Sequence, residues 1–420
     1  MSKLFYILFT NLYTLVANLL ALFNKKARLW VEGRRDIFTT IANKLQHDTR
    51  KKIWIHCASL GEFEQGLPLM KAIKISYPSY SIVLSFFSSS GYENEKNNSA
   101  ADHIFYMPMD SATHAKKWYE LVQPSLVVFV KYEFWNYYLH AAKKRNIPLL
   151  LVSGIFRKSQ PFFAWYGDFH RKMLKCFTHL FVQNKTALEL LKSIQVNNVS
   201  ISGDTRFDRV SEIAGNFKTV EFIKDFCAGK KVIVAGSTWL DDDEALDHYV
   251  NSYKDYRFII APHDIGEERL KECEHLYHNA IRYSNLSKQQ SIENKVTINT
   301  LIIDNIGMLK YLYKYADVCY VGGGFGGDGV HNVLEAAVYN KPVVFGGEYD
   351  KYVEAVELVE EEGAFSVENT LELENIFNEL LNDNSLCENA AKAAGNYVQS
   401  KTGATTGVMQ YIYEKRLLTN

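Results

Sequence analysis

The sequence is poor in the residues that mark a stapled, fibrous or disordered chain. Its six cysteines (Cys57, Cys176, Cys227, Cys273, Cys319 and Cys387) are widely spaced and form no C-x-x-C pair. That spacing argues against a zinc site or a disulfide framework and for free thiols in a reducing compartment. Eight prolines and 24 glycines in 420 residues are too few for a collagen-like or low-complexity chain. Charge of one sign is also lacking overall: the net value of −1 gives no basic excess of the kind that binds nucleic acid. What is present is a 47% apolar composition over a length too great for one ordinary core, so two or three domains are expected. The balanced charge hides a division. Residues 1–210 carry 28 Lys and Arg against 15 Asp and Glu, whereas residues 211–420 carry 19 against 33. The basic half points to an anionic partner or surface.

The first thirty residues are distinctive. Twenty uncharged residues run from Leu4 to Phe23, followed by Lys25, Lys26, Arg28, Arg34 and Arg35. As a helix this run is long enough to cross about 30 Å of hydrocarbon. Its charges follow the apolar run and no small-residue cleavage site is present, so it is not a cleavable leader. Thr10, Asn11, Thr14 and Asn18 fall on one helical face, which makes a helix lying in the interface an alternative to a spanning one. The basic flank keeps the body on the cytoplasmic side in either case. The expectation is a membrane-attached protein.

The body repeats strand–helix units. Ile53–Ala58, Ser81–Phe87, Leu126–Lys131, Pro148–Ser153 and His179–Gln183 read as strands in the first half, and helical patterning lies between them. The second half restarts with strands at Lys231–Ala235, Tyr256–Ala261, Thr300–Ile303, Val318–Val321 and Pro342–Phe345, and with helices from Asp242, Gly266, Val330 and Tyr352. Val210–Lys230 is polar and irregular, and Ser284–Asn299 is the most loop-like long stretch. The fold class is therefore α/β, with two Rossmann-like domains facing a cleft and an N-terminal membrane-associated helix. The expected divisions are 1–30 for the anchor and basic flank, 31–215 for the first domain and 216–420 for the second. The C-terminal helix is free to pack back on the first domain.

Ligands of open α/β sheets bind outside the carboxyl ends of the strands, so those ends carry the candidate chemistry. HCASLGE brings Glu62 to a helix N-terminus, as a cap or as a general base. Ser88, Ser89, Ser90 and Gly91 follow the second strand and form a plain turn or an oxyanion site. Glu133 and Trp135 stand together in KYEFWN. Gly236, Ser237 and Thr238 precede an acidic run, Asp241–Glu244, that reads as a helix cap. Ala261-Pro262-His263 is followed by Glu268 and Arg269. The strongest signal is YVGGGFGGDGVHNVLEAA, with six glycines in eight positions between a strand and a helix. Ordering so much glycine is costly unless something must approach the backbone closely, and a phosphate would. No Gly-Lys-Ser/Thr follows and no early G-x-G-x-x-G exists, so it is neither a P-loop nor a dinucleotide fingerprint. Glu335 lies one turn beyond, within reach of a ribose diol.

Taken together and in order, these motifs resemble the Kdo (3-deoxy-D-manno-octulosonic acid) transferases, GT-B glycosyltransferases of lipopolysaccharide assembly. The resemblance spans nearly the whole chain, and includes SGIFRKS at 153–159 and GDTRFD at 203–208. It implies inverting transfer of Kdo from CMP-Kdo to the lipid A precursor on the cytoplasmic leaflet of the inner membrane. It also implies that no metal or cofactor takes part and that nucleic acid is not a partner. By the resemblance Glu62 is the catalytic base, and Glu133 with Ser88, Ser89, Ser90 and Gly91 lies on the acceptor side. Gly236, Ser237, Thr238, His263 and Arg269 meet the donor. Gly326, Gly327 and Gly329 admit CMP, His331 and Asn332 position that loop, and Glu335 holds the ribose. Two departures stand out: Pro262 precedes His263 where relatives carry Arg, leaving Arg269, Arg206 or Arg157 to meet the donor's charge, and Lys131 stands where relatives tend to carry a carboxylate. Another GT-B enzyme using a UDP-sugar, whether transferase or epimerase, and a non-catalytic membrane adaptor are the alternatives.

Overall fold

A computed structural model of the chain describes residues 3–288, 298–327 and 329–419. The chain divides into two units, one of Met1–Arg209 with Thr402–Asn420 and one of Val210–Lys401. The first holds strands β1 (Lys51–Cys57), β2 (Tyr80–Phe86), β3 (His103–Tyr106), β4 (Pro124–Val130), β5 (Leu149–Gly154), β6 (His179–Val182) and β7 (Val199–Ile201). They form one parallel sheet in the order β3-β2-β1-β4-β5-β6-β7. Successive strand residues point to opposite faces. Accordingly Trp54, Val83, Val127 and Leu151 enter one core, while Ile53, Ile55, Leu84 and Val128 enter the other. Burial on both faces is why these strands read as nearly continuous apolar runs. The C-terminal helix Ala404–Glu414 fills the second core with Val408 and Ile412. Its N-terminus is held by Asp208, which accepts the Gly403 and Thr405 backbone N–H groups at 2.6 Å each.

The second unit repeats the design with β8 (Val232–Thr238), β9 (Arg257–Pro262), β10 (Ala280–Arg282), β11 (Thr300–Ile302), β12 (Val318–Val321), β13 (Val343–Gly346) and β14 (Ala364–Val367). Its parallel order is β10-β11-β9-β8-β12-β13-β14. The chain order reverses between β1 and β4 in the first sheet and between β8 and β12 in the second. Loops leaving those strand ends diverge and open a crevice, where ligands of such sheets bind.

Several expectations need correction. β3, β7, β10 and β14 are strands that the sequence reading passed over. Val210–Lys230 is not simply irregular, since the helix Thr205–Gly215 runs through its start and Ile223–Cys227 forms another turn of helix. The helix expected from Val330 is a single turn, Leu334–Ala337. Of the stretch expected to be loop, Ser284–Lys288 lies in the helix Tyr283–Lys288, and residues 289–297 lie outside the described residues.

The N-terminal run forms helix α1 (Lys3–Leu20), which stops three residues before the apolar run ends, and α2 (Lys25–Glu32) follows. The inward positions of α1 are Tyr6, Ile7, Thr10, Thr14 and Ala17, so Thr10 and Thr14 of the expected polar face turn inward while Asn11 and Asn18 are exposed. Thr10 is buried and Thr14 half-buried, while Leu4, Leu8, Leu12, Leu15 and Leu19 stand 53–74% exposed. The helix is held to the first unit near both ends. The Tyr6 hydroxyl donates to Asp110 at 2.5 Å, Tyr13 packs on Trp30 and Phe87, and Arg28 donates to the Ala21 carbonyl at 3.2 Å.

Asp110 also accepts the Tyr137 and Tyr138 backbone N–H groups, at 2.9 and 3.1 Å. Burial pushes its carboxyl up to about 6, against the pull of these donors. An acid raised in the folded state binds its proton more tightly there than when unfolded. Its contribution to stability is therefore greatest below its ordinary value of 3.8 and is lost as pH rises through about 6. Wild type should accordingly lose stability relative to Asp110→Asn between about pH 4 and 7. Denaturant midpoints measured across that range check it, and a pH-independent difference would count against it.

Candidate functional site

At the first sheet's reversal, β1 ends at Cys57 and the chain enters the helix Leu60–Ser76 through Ala58 and Ser59. Ser59 is the N-cap. Its backbone N–H donates to Glu62 Oε2 at 3.0 Å, and its hydroxyl makes a short bond to the same oxygen. The capping reading of Glu62 is thus realised in a reciprocal capping box. Both bonds fall on Oε2, and the side chain sits in a largely buried position at the mouth of β1.

Glu133 follows the neighbouring strand β4. Its Oε2 accepts the Trp135 indole N–H at 2.5 Å and lies 3.4 Å from Nε2 of His56. His56, fully buried on β1, has Nδ1 2.8 Å from the Ser85 hydroxyl, which in turn accepts the Trp54 indole N–H at 2.7 Å. A chain of polar groups from the core therefore orients Glu133. His56 stands inside a motif that the sequence reading quoted for Glu62, and its role was missed. Ser88 caps the helix Ser89–Glu95 by accepting the Gly91 N–H at 3.1 Å. Ser90 is exposed and Ser89 is buried. Gly91 is required for packing, since a methyl there would lie 2.5 Å from the Phe86 ring.

The GDTRFD run stitches the same unit together. Asp204, buried, accepts from Gln65, Gln183 and Arg206, each at 2.9 Å. Arg206 is therefore committed within the fold, whereas Arg157, beyond β5, is exposed.

In the second unit the reversal brings Gly236–Thr238 beside the glycine loop after β12. Asp242, from the acidic run, organises both. Its Oδ2 accepts the backbone N–H groups of Trp239 and Gly323 at 2.8 Å each, and its Oδ1 accepts the Tyr320 hydroxyl at 2.7 Å. Burial raises its carboxyl above the usual carboxylate range, and those three donors oppose the shift. The cap expected at the start of this helix is present, but the same residue also fixes the loop.

The glycines divide into two groups. A methyl at Gly322 would lie 2.5 Å from the Ser237 carbonyl, one at Gly324 would lie 2.5 Å from the Gly346 carbonyl, and Gly329 takes φ 84° against Tyr352. Together with Gly323 at φ 96°, these positions are fixed by the unit's own close packing. At these positions the close approach is made by the unit's own atoms rather than by the phosphate expected there. Gly326 and Gly327 differ, because a methyl at Gly327 would touch nothing within 4 Å and one at Gly326 would come no nearer than 3.4 Å. Gly324→Ala is expected to cost about 3 kcal/mol or more in stability, whereas Gly327→Ala should stay within about 0.5 kcal/mol. Thermal denaturation of the two variants checks the division.

Trp239, His263 and His331 form a stacked group that the sequence reading did not foresee. His263 lies 4.5 Å, centroid to centroid, from both Trp239 and His331, and the Trp239 indole N–H donates to His331 Nε2 at 2.9 Å. That bond makes Nε2 the acceptor and puts any neutral-state proton of His331 on Nδ1. Asn332 donates to Glu335 Oε1 at 3.1 Å, which orients the carboxylate proposed for the ribose.

Three donor-side expectations change in character. Arg269 is largely buried and ion-paired to the fully buried Asp243, with a second bond to Glu272 at 3.1 Å. It serves the core, because a guanidinium withdrawn from Asp243 would leave a buried charge unpaired. Thr238 is fully buried, so the turn offers Ser237, half-exposed at φ 57°, in its place. A methyl at Gly236 would collide with the Tyr313 hydroxyl, so that glycine admits a neighbouring side chain.

Residues 33–209 match the model of the family described as 3-deoxy-D-manno-octulosonic-acid transferase (kdotransferase). A bifunctional glycosyltransferase/methyltransferase of Fusobacterium nucleatum is 29% identical over 372 residues, covering 83% of this chain and 57% of its own length. The chain therefore spans little more than half of that relative. A 3-deoxy-D-manno-octulosonic acid transferase of Aquifex aeolicus is 27% identical over 336 residues, covering 78% of this chain and 86% of its own. Among solved structures, UDP-GlcNAc 2-epimerase from Neisseria meningitidis superposes with a TM-score of 0.63 at 15% identity, over 86% of this chain and all of that one. At that identity the likeness concerns the fold.

Proposed function

The chain belongs to the Kdo transferase family of GT-B type, and from that premise we propose that it transfers Kdo from CMP-Kdo to a lipid A precursor with inversion and without a metal. The observation that carries the reading is the position of Glu62 and Glu133 on the two strand ends that bracket the first sheet's reversal, inside the segment matching the family. In the reaction an acceptor hydroxyl attacks the anomeric carbon of Kdo. The new C–O bond forms as the bond to the phosphate breaks, CMP departs with the bonding electrons, and Glu62 takes the hydroxyl proton. Glu133, held by Trp135 and His56, orients the acceptor. Ser88 and Ser90 offer hydroxyls beside it.

On the donor side the leaving group is a phosphate, which needs charge stabilisation more than protonation. Ser237 and the open backbone at Gly326 and Gly327 are suited to it, with Glu335 on the ribose. Asp242 and Asp243 are buried and bonded within the unit, so neither of these two carboxylates is available to a metal. His263, His331 and Trp239 present a flat stacked surface beside the loop. At the first unit, the Tyr6 bond to Asp110 and the packing of Tyr13 on Trp30 and Phe87 favour an α1 that lies in the interface with its leucine face in lipid. The basic flank then sits at anionic headgroups of the cytoplasmic leaflet.

The competing reading is a UDP-sugar enzyme of the same fold. Purified chain offered CMP-Kdo or UDP-GlcNAc with a lipid acceptor separates them. Acceptor-dependent release of CMP is expected, and consumption of UDP-GlcNAc instead would overturn the proposal.

A further inference from the structure

Between α1, α2 and the loop after β2 lies a cavity of about 470 Å³, within the range of small-molecule sites, roughly 300–1,000 Å³. Its walls include Leu12, Val16 and Leu20 of α1, Trp30 of α2, and Phe87. Lys26 lines it as well, and Lys25 and Arg28 stand exposed on the same helix. We propose that this cavity holds an acyl chain of the phosphorylated lipid acceptor. The proposal rests on the Kdo-transfer reading and extends it from the headgroup to the chain.

Three observations on separate elements converge on that occupant. The cavity is apolar, yet Lys26 in its wall and the neighbouring Lys25 and Arg28 suit a lipid carrying phosphate rather than a neutral peptide face. Its far wall includes Ser88 and Ser89, the hydroxyl cluster assigned to the acceptor. An unbroken file of rings then leads to the acceptor carboxylate: Tyr13 lies 5.4 Å from Trp30, Trp30 lies 5.7 Å from Phe87, Phe87 lies 4.7 Å from Trp135, and Trp135 donates to Glu133. Arg34 fixes this file by stacking 3.9 Å over Trp30 and donating to the Phe87 carbonyl at 2.7 Å. The site for a chain and the site for its headgroup are therefore one continuous surface of the first unit. Acyl length becomes a specificity determinant, worth about fourfold in affinity per buried methylene.

Two readouts on the full-length chain in detergent test this. The first compares kcat/KM for acylated and acyl-free acceptors with CMP-Kdo in wild type and in Ala27→Phe, which narrows the cavity. The ratio is expected to fall about tenfold or more in the variant, the equivalent of about two buried methylenes. The second follows Trp30 emission with an alkyl phosphate brominated at mid-chain, using Trp30→Phe to identify the quenched component. Quenching is expected in wild type and should weaken in Ala27→Phe. An unchanged ratio, or no quenching of Trp30, would overturn the proposal. Quenching with an unchanged ratio would mean that a resident bilayer lipid sits there instead of the acceptor, which also overturns it. If wild type transfers to neither acceptor, the Kdo-transfer reading has failed, and the quenching result still decides whether the cavity takes a chain.

Discussion

Glu62→Gln is expected to lower Kdo transfer by about 10²–10⁴ while leaving the first unit as stable as wild type. The separation is possible because the proposed reaction adds a second role to the cap that Glu62 already provides. As a cap it accepts the Ser59 backbone N–H, a bond that glutamine also makes in a capping box. As a base it must accept a proton, which an amide cannot do at neutral pH. The conservative variant therefore preserves the helix start and removes only the proton acceptor. Initial rates with saturating donor and acceptor, set beside thermal denaturation, decide the matter. A variant that keeps its rate would reduce Glu62 to a helix cap and move the base elsewhere, with Glu133 the nearest candidate.

Asp242→Ala should collapse the donor side. Removing this carboxylate leaves the Gly323 and Trp239 N–H groups and the Tyr320 hydroxyl without their acceptor in a buried setting. At about 1–3 kcal/mol for each unsatisfied group, and with some relaxation, the loss is on the order of 3–5 kcal/mol. The glycine loop then loses its anchor to the turn after β8, so CMP binding should disappear together with the stability of the second unit. The first unit, whose sheet and cores are its own, should keep its secondary structure. Calorimetry of CMP binding alongside hydrogen exchange across both sheets checks this. Retained CMP binding in Asp242→Ala would mean that the loop needs no such anchor. Gly327→Ala provides the contrast, with stability kept and affinity lowered.

The central strands were legible because residues such as Ile53, Trp54, Ile55, Val127 and Val128 are buried on both faces and leave an apolar run. The edge strands were not. Ala280–Arg282 is half-exposed throughout and Ile201 of β7 is 48% exposed, so neither gives an apolar signal. The placement of Glu62, Glu133 and the glycine loop just after strands was legible, since chain order alone sets which residues leave the carboxyl ends. The partners that hold them were harder to read. His56 reaches Glu133 across 77 positions, Asp242 reaches Gly323 across 81 and Trp239 reaches His331 across 92, contacts that only the strand order creates. Arg269 failed for the same reason, because its partner Asp243 lies on another helix. The +13 and −14 halves of the chain also acquire a reading. The basic excess belongs with the α1 face proposed for a membrane, and the acidic half includes core partners such as Asp242 and Asp243.

The most direct measurement is the mass of the lipid recovered after full-length chain is incubated with CMP-Kdo and a lipid A precursor. The account predicts an acceptor enlarged by one or more Kdo residues, with one CMP released for each, in wild type and not in Glu62→Gln. An unchanged acceptor beside intact CMP-Kdo, or the same product from Glu62→Gln at the wild-type rate, would contradict it.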